Sequence, residues 1–261
     1  MTDGVNRPVA MEEIAQQLLQ ARKLDKGIHT SDIIEPSDFK SAMQIQSLVQ
    51  YGMPIDGWKV AIGPEKKPIA APLVEILKST ADMRLFPNCF IEVEVAISLN
   101  KNLPIRDALY TRSEILEAID YAFLGIEVIG GRYEDPKGVP FLAFLADHLG
   151  NRAFITGDQL PITTVDLLAG LSCSVSFEGS TIFSGTASHP AQDPLAPLLA
   201  YANHQNDYVG GLKAGQIVTT GSLCGVLPIN SAGIVKANLG TLGQVAIRFN
   251  EPAELFGFLV R

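Results

Sequence analysis

Read in steps of two, the stretch "FIEVEVAISL" (Phe90 to Leu99) puts Ile91, Val93, Val95, Ile97 and Leu99 on one side. Glu92, Glu94, Ala96 and Ser98 fall on the other, the pattern of a β-strand with one strongly apolar face. Other segments follow a helical period. Met11, Ile14, Ala15, Leu18 and Leu19 recur on one face and predict an amphipathic helix over residues 9–24. "SDFKSAMQIQSLVQYG" predicts a second, opened at Ser37 and ended by Gly52. The two form an N-terminal helical segment, residues 1–53, ahead of a main domain over residues 54–261.

Residues 111–123, "TRSEILEAIDYAF", predict a later helix: Thr111 and Glu114 fit a capping box, and Ile115, Ile119 and Phe123 share a side. "DPLAPLLAYANHQ" predicts another, opened by Asp193 with Pro194 at its first position. "GWKVAIG" reads as a short strand before a loop, "PEKKPIAAPL", and "LGIEVIGG" as a further strand. From Asn151 onward come short β-rich runs separated by Gly, Pro and Asn: "RAFITG", "SCSVSFEGS", "TIFSGT", "GQIVTTG", "GIVKANL" and "GQVAIRFN". No fixed-period repeat is present, and strands do not alternate with helices. The class is α+β, dominated by strands.

Composition narrows the partners. The chain carries a net charge of −8 and has no Lys/Arg cluster beyond "PEKKP", so it lacks the surface that neutralises nucleic-acid phosphates. No segment reaches the ~20 consecutive apolar residues of a membrane span, "FLAFLA" (Phe141–Ala146) included. The N-terminus has neither a basic start nor an apolar run, which argues against a signal peptide. Cys89, Cys173 and Cys224 are odd in number and far apart, so they predict neither a disulfide framework nor a zinc site. Three reduced thiols in a cytoplasmic protein are the expectation.

The candidate chemistry lies in carboxylates. Glu92 and Glu94 share a strand face, and Glu127 stands among Gly125, Ile126, Val128 and Ile129, where nothing solvated is expected. Buried carboxylates need partners, and basic residues are few nearby. A divalent cation is then the economical partner, and oxygen ligands suit Mg²⁺ or Mn²⁺. The residues alone leave a second reading open, in which Glu92 and Glu94 lie on the solvent face of an edge strand beside surface lysines. Other constellations are empty. Ser188 and His189 are adjacent and cannot form a nucleophile–base pair, and no G-x-S-x-G elbow or phosphate-cradling loop follows any strand.

"GWKV", "FIEVEVAI", "GIEVIGGR", "FLADH" and "GQIVTTGSL", in this order and spacing, resemble the hydratase/decarboxylase branch of the fumarylacetoacetate hydrolase superfamily. That branch includes 2-oxopent-4-enoate hydratases and 4-oxalocrotonate decarboxylases. The helical pair and "GTASHPAQDPLAPLLAYANH" extend the resemblance over nearly the whole chain. It implies a mixed β-sheet roll or barrel, of the kind formed by the C-terminal part of fumarylacetoacetate hydrolase, with an N-terminal helical appendage. It also implies Mg²⁺ or Mn²⁺ on Glu92, Glu94 and Glu127, holding a small 2-oxo acid by its carboxylate and 2-oxo oxygens so that an enolate is stabilised. Lys59 of "GWKV" matches a lysine near the substrate, as a cation or a proton carrier. Asp147 and His148 of "ADHLG" become candidates for acid–base work, and Thr220 of "GQIVTTGSL" for substrate binding. "GGRYEDPKG" reads as a mobile turn over the site, from which Arg132 would reach a substrate carboxylate.

Two departures stand out. The family pattern carries an Asp in the loop after the lysine strand, where this chain has Ile69 in "PIAAPL". Where hydratases commonly read A-D-N-A-S, His148 replaces the Asn and Gly150 the Ser. The implied activity is hydration of a 2-hydroxyalka-2,4-dienoate to a 4-hydroxy-2-oxo acid, in a homo-oligomer. The alternatives are a 2-oxo diacid decarboxylase, an acylpyruvate C–C hydrolase, or a non-catalytic partner subunit that keeps the fold.

Overall fold

The computed structural model describes residues 11–251. Helix α1 (Met11–Leu24) buries Ile14, Ala15, Leu18 and Ala21; the first two residues of the predicted helix lie outside the described residues. Helix α2 (Phe39–Gln50) is capped by Asp38 and not by Ser37, because the Asp38 carboxylate accepts the Ser41 N–H at 2.7 Å. The apolar faces of α1 and α2 meet in one buried cluster with Ile69, Ala71, Tyr133 and Leu145. The helical pair is therefore packed onto the body of the protein.

Strand β1 (Gly57–Ile62) is followed by β2 (Pro68–Pro72), in a segment whose sequence reads as a loop. β2 pairs antiparallel with β1 as an edge strand, and that position tolerates a proline at each end. Then come β3 (Ile76–Lys78), β4 (Ala81–Arg84) and the long β5 (Cys89–Leu99). Helix α3 (Arg112–Glu117) has the expected capping box, but it stops well short of residue 123. The chain turns at Ala118 into β6 (Ile119–Ile129), which pairs with β5 along its length. Spacings of four residues satisfy a helix and a strand alike, so Ile119 and Phe123 do not discriminate the two. Pairing with β5 and burial of Ala122, Leu124, Ile126 and Val128 decide for the strand.

Helix α4 (Phe141–Ala146), β7 (Asn151–Leu160), α5 (Thr164–Leu167), β8 (Ser172–Phe177) and β9 (Ser180–Thr186) follow. Helix α6 (Ala196–Ala202) starts later than Asp193, whose carboxylate instead accepts the Leu195 N–H at 2.9 Å and Arg112 Nε at 2.9 Å. The last strands are β10 (Ile217–Ser222), β11 (Leu227–Ile229), β12 (Gly233–Leu239) and β13 (Gly243–Asn250).

The strands form two sheets. The larger runs β2-β1-β10-β5-β6-β7-β3, with β11 added to β5, and the smaller runs β4-β13-β12-β8-β9. They meet closely at Gly157 on β7, where a Cβ would stand 2.5 Å from the Cβ of Val245 on β13. The result is an α+β fold with β5 and β6 at the centre of the larger sheet.

Candidate metal centre

The register of four strands builds the site. Glu92 on β5 stands opposite Glu127 on β6, and Glu94 opposite Gly125. Ala96, on the same face as both glutamates, pairs with Thr219 of β10, and Thr219 pairs with Lys59 of β1. β5 is therefore a central strand, and its glutamate face does not open onto bulk solvent at a sheet edge. Ligand oxygens of Glu92, Glu94 and Glu127 all lie within 4.8 Å of one another. Lys59 Nζ is 2.8 Å from Glu127 Oε2 and 3.5 Å from Glu92 Oε2.

The remaining contacts orient the carboxylates. Asn151 Nδ2 donates to Glu127 Oε1 at 2.9 Å, and the Gly221 backbone N–H donates to Glu94 Oε2 at 3.2 Å. Gly221 supplies that N–H from a bulge in β10, at φ +141°, a conformation that favours glycine. Glu94 Oε1 is buried with no hydrogen-bond partner. Gly125 leaves room for the Phe154 ring, since a Cβ there would lie within 2.2 Å of its Cζ.

Three carboxylates face one ammonium. Burial and the Glu127 and Glu92 charges push the Glu94 pKa well above the usual range, with Lys59 opposing. Burial also raises the Glu92 carboxyl, against Lys59 and with Glu127. Burial works to lower the Lys59 pKa, but Glu127, Glu92 and Glu94 outweigh it and hold the amine protonated above its ordinary value. The cluster thus lacks positive charge, and it has an orphaned buried oxygen that a hard cation would satisfy. An all-oxygen donor set of three carboxylates fits a divalent metal.

Among the described residues, no hydrogen bond or ion pair joins the other predicted residues directly to this cluster. Arg132 is buried, not exposed on a turn; its Nη1 pairs with Asp147 Oδ1 at 2.9 Å and donates to the Asn151 carbonyl at 3.0 Å. Asp147 also accepts the Arg132 backbone N–H, at 2.7 Å. Burial raises the Asp147 carboxyl despite Arg132. Arg132 and Asp147 are thus linked to the metal centre through Asn151, which holds Glu127. His148 is buried beside Gln46, and burial together with Arg132 and Arg22 lowers its pKa to about 3. A neutral imidazole with so little basicity is poorly suited to acid–base work near neutral pH.

Thr220 is packed against His189, whose Nε2–H donates to the Thr220 carbonyl at 3.1 Å. Its neighbour Thr219 is the residue on the Lys59 face, with a buried hydroxyl that has no partner. Asn151 carries no functional signal in the sequence, because an Asn at the start of a strand looks like turn punctuation. Ile69, opposite Ala61 on β2, is buried in the cluster with α1 and α2. Gly150 has φ +70°, and a Cβ there would stand 2.8 Å from the Phe144 ring, so the chain cannot carry the family's Ser at that position without rearrangement.

The fold is that of the fumarylacetoacetate hydrolase proteins, and it gathers three carboxylates and a lysine into a cluster that could hold a divalent metal. No protein-family model matches the chain. It is 26% identical over 162 residues to the 2-keto-4-pentenoate hydratase of Burkholderia vietnamiensis strain G4, a match over 62% of this chain and 60% of that protein's length. To the 2-keto-4-pentenoate hydratase of Paraburkholderia xenovorans strain LB400 it is 22% identical, over 93% of this chain and 96% of the other. The structure of 4-oxalocrotonate decarboxylase from Pseudomonas putida G7, complexed with magnesium and adipate, superposes with a TM-score of 0.77 at 22% identity, over 92% and 97% of the two chains. The chain is a divergent relative of this hydratase/decarboxylase branch.

Proposed function

We propose that the chain is a divalent-metal-dependent carbon–oxygen lyase that adds water to a 2-hydroxyalka-2,4-dienoate, giving a 4-hydroxy-2-oxo acid. The observation that carries this is the Glu92–Glu94–Glu127 cluster with Lys59 inside it. Mg²⁺ or Mn²⁺ held by these carboxylates would supply Lewis-acid polarisation of the substrate's carboxylate and 2-oxo oxygens. Lys59, held protonated, adds a fixed positive charge that offsets the negative charge of an enolate and can donate a hydrogen bond to it. Asn151 and the Gly221 N–H keep Glu127 and Glu94 aimed at a common point. Free thiols and exposed apolar side chains such as Ile105 and Leu109 support a cytoplasmic homo-oligomer.

A decarboxylase of a 2-oxo diacid is the nearest rival, and one feature favours the hydratase. Phe90 and Ile129 stand opposite each other, one step along the same face from the Glu92–Glu127 pair, about 7 Å away. They line a cavity of about 60 Å³ with Tyr133, Val139 and Phe144. The Tyr133 hydroxyl is already engaged with the Ala143 carbonyl at 3.2 Å, and no Lys or Arg among the described residues lines the cavity. An apolar substrate end suits this space, whereas a second carboxylate would lose its hydration there without a cationic partner.

Calorimetry of Mg²⁺ and Mn²⁺ binding, with and without oxalate, tests the reading on the wild type and on Glu94→Gln. Oxalate imitates the planar chelating end of a 2-oxo acid enolate. Metal binding tightened by oxalate and lost in the variant supports the enzyme. Binding of neither by the wild type makes the glutamates structural and favours the partner-subunit alternative. With metal bound, consumption of a dienoate monoacid without CO₂ release identifies the hydratase, and CO₂ release from a diacid identifies the decarboxylase.

A further inference from the structure

Gly150 sits behind two walls of the apolar cavity beside the candidate metal centre. A Cβ at this position would lie 2.8 Å from Phe144 Cε2 and 3.1 Å from Ile129 Cγ2. The absence of a side chain there lets the Phe144 ring and Ile129 close in on the backbone. Ile129 stands opposite Phe90, one step along the strands from the Glu92–Glu127 pair. Phe90, Ile129 and Phe144 then line the cavity of about 60 Å³ together with Tyr133 and Val139.

These walls are held in place. Phe144 belongs to α4, where its N–H donates to the Pro140 carbonyl at 3.0 Å and its neighbours Ala143, Leu145 and Ala146 are buried. The Tyr133 hydroxyl donates to the Ala143 carbonyl, which ties a second wall to the same helix. No charged side chain among the described residues lines the cavity. Such a space favours alkyl carbon and disfavours a carboxylate. At ~10–15 Å³ for each water-sized group, it has room for about four carbons.

Strand geometry decides which substrate atoms reach it. The step from the Glu92–Glu127 pair to the Phe90–Ile129 pair is about 7 Å, close to the span of a four-carbon diene. A dienoate held by its carboxylate and C2 oxygen at the glutamates would place the carbons beyond C5 in the cavity.

We propose that the substrate is a 2-hydroxyalka-2,4-dienoate monoacid with an unbranched alkyl chain of about four carbons on C5. Phe144, seated against Gly150, is the specificity-determining residue that limits the length of that chain. The assignment rests on the function proposed above and narrows its substrate class.

The test measures, by calorimetry on the Mg²⁺-loaded full chain, the affinities of straight-chain 2-oxo acids from pyruvate to 2-oxododecanoate. Oxalate serves as the chelator without a tail. Affinity should be flat up to 2-oxopentanoate, rise about two- to fourfold per methylene as far as 2-oxononanoate, and stop rising beyond it. 2-Oxononanedioate should bind at least tenfold more weakly than 2-oxononanoate. Phe144→Ala should carry the rise on to longer acids and leave oxalate affinity within twofold. Phe144→Leu, which keeps an apolar side chain on α4, should extend it by at least one carbon and serves if the alanine variant folds poorly. Affinities that ignore chain length while oxalate binds, or a length limit that the Phe144 variants leave in place, overturn the subsite and leave the proposed function standing. Failure of the wild type to bind Mg²⁺ or oxalate overturns the proposed function, and this substrate with it.

Discussion

The Lys59 ammonium lies 2.8 Å from Glu127 Oε2, within the carboxylate cluster and not at its rim. Without a metal it is the cation closest to these acids, so its removal leaves buried negative charge uncompensated. Lys59→Met should destabilise the metal-free protein by about 3–5 kcal/mol, the scale for breaking a buried ion pair. Saturating Mg²⁺ should restore most of that loss, because it supplies the missing charge. Urea unfolding with and without Mg²⁺ checks both halves; equal losses in the two conditions would mean that Lys59 matters only for packing.

Glu94→Gln separates stability from binding. Burial and its acidic neighbours already disfavour the Glu94 charge, and Oε1 has no partner. A neutral amide of the same shape should therefore leave metal-free stability within about 1 kcal/mol of the wild type, or raise it. Divalent-metal affinity should fall at least 100-fold. Unfolding midpoints and calorimetric titration report the two quantities independently.

Metal binding should carry a pH signature. The Glu92 and Glu94 carboxyls are raised, so each keeps its proton to higher pH than an ordinary glutamate does. A metal ion must displace those protons, so affinity rises with pH through the raised range and falls below it. Titrations in buffers of different ionisation enthalpy should reveal proton release on binding that diminishes as pH rises through the raised range. Buffer-independent heats at every pH from the ordinary glutamate range upward would contradict the raised carboxyls.

His148 supplies a pH dependence of stability with a definite sign. Its folded pKa is lowered to about 3 from an ordinary ~6.5, so between these values the unfolded chain binds the extra proton. Its contribution is complete above ~6.5 and is lost as pH falls towards 3. The raised Glu92, Glu94 and Asp147 carboxyls act in the opposite direction: the stability they contribute is present at low pH and is lost as pH rises through their folded values. The wild-type curve is then a compromise, and the difference from His148→Gln isolates the imidazole. Relative to the variant, the wild type should lose stability from pH 6.5 to 4.5 in urea unfolding.

Much of this was legible in the sequence. Alternation in "FIEVEVAISL" places Glu92 and Glu94 on one face, and an apolar run around Glu127 marks a buried acid. Strand pairing is a long-range property, so nothing local shows that Glu92 and Glu127 are register partners or that Lys59 lies two strands away. Local patterns misled where two periods coincide, as at Ile119 and Phe123. Asp147 and His148 were visible as a motif, but the buried Arg132 that engages Asp147 comes from a preceding loop and requires the fold to be seen.

Restoring the family's residues should not be neutral. Ile69 is 4% exposed and packs with α1 and α2, so Ile69→Asp places a carboxylate in an apolar cluster. Loss of packing and the unpaired charge together should cost about 3–5 kcal/mol. Gly150→Ser meets the Phe144 ring at 2.8 Å with φ +70°, and the strain should cost at least about 1 kcal/mol. These positions are adapted to their own surroundings, so the expected outcome in a dienoate hydration assay is no gain in turnover from either change. A gain from Ile69→Asp, with the folded state intact by urea unfolding, would show that the missing acid limits catalysis and that this chain is an attenuated hydratase.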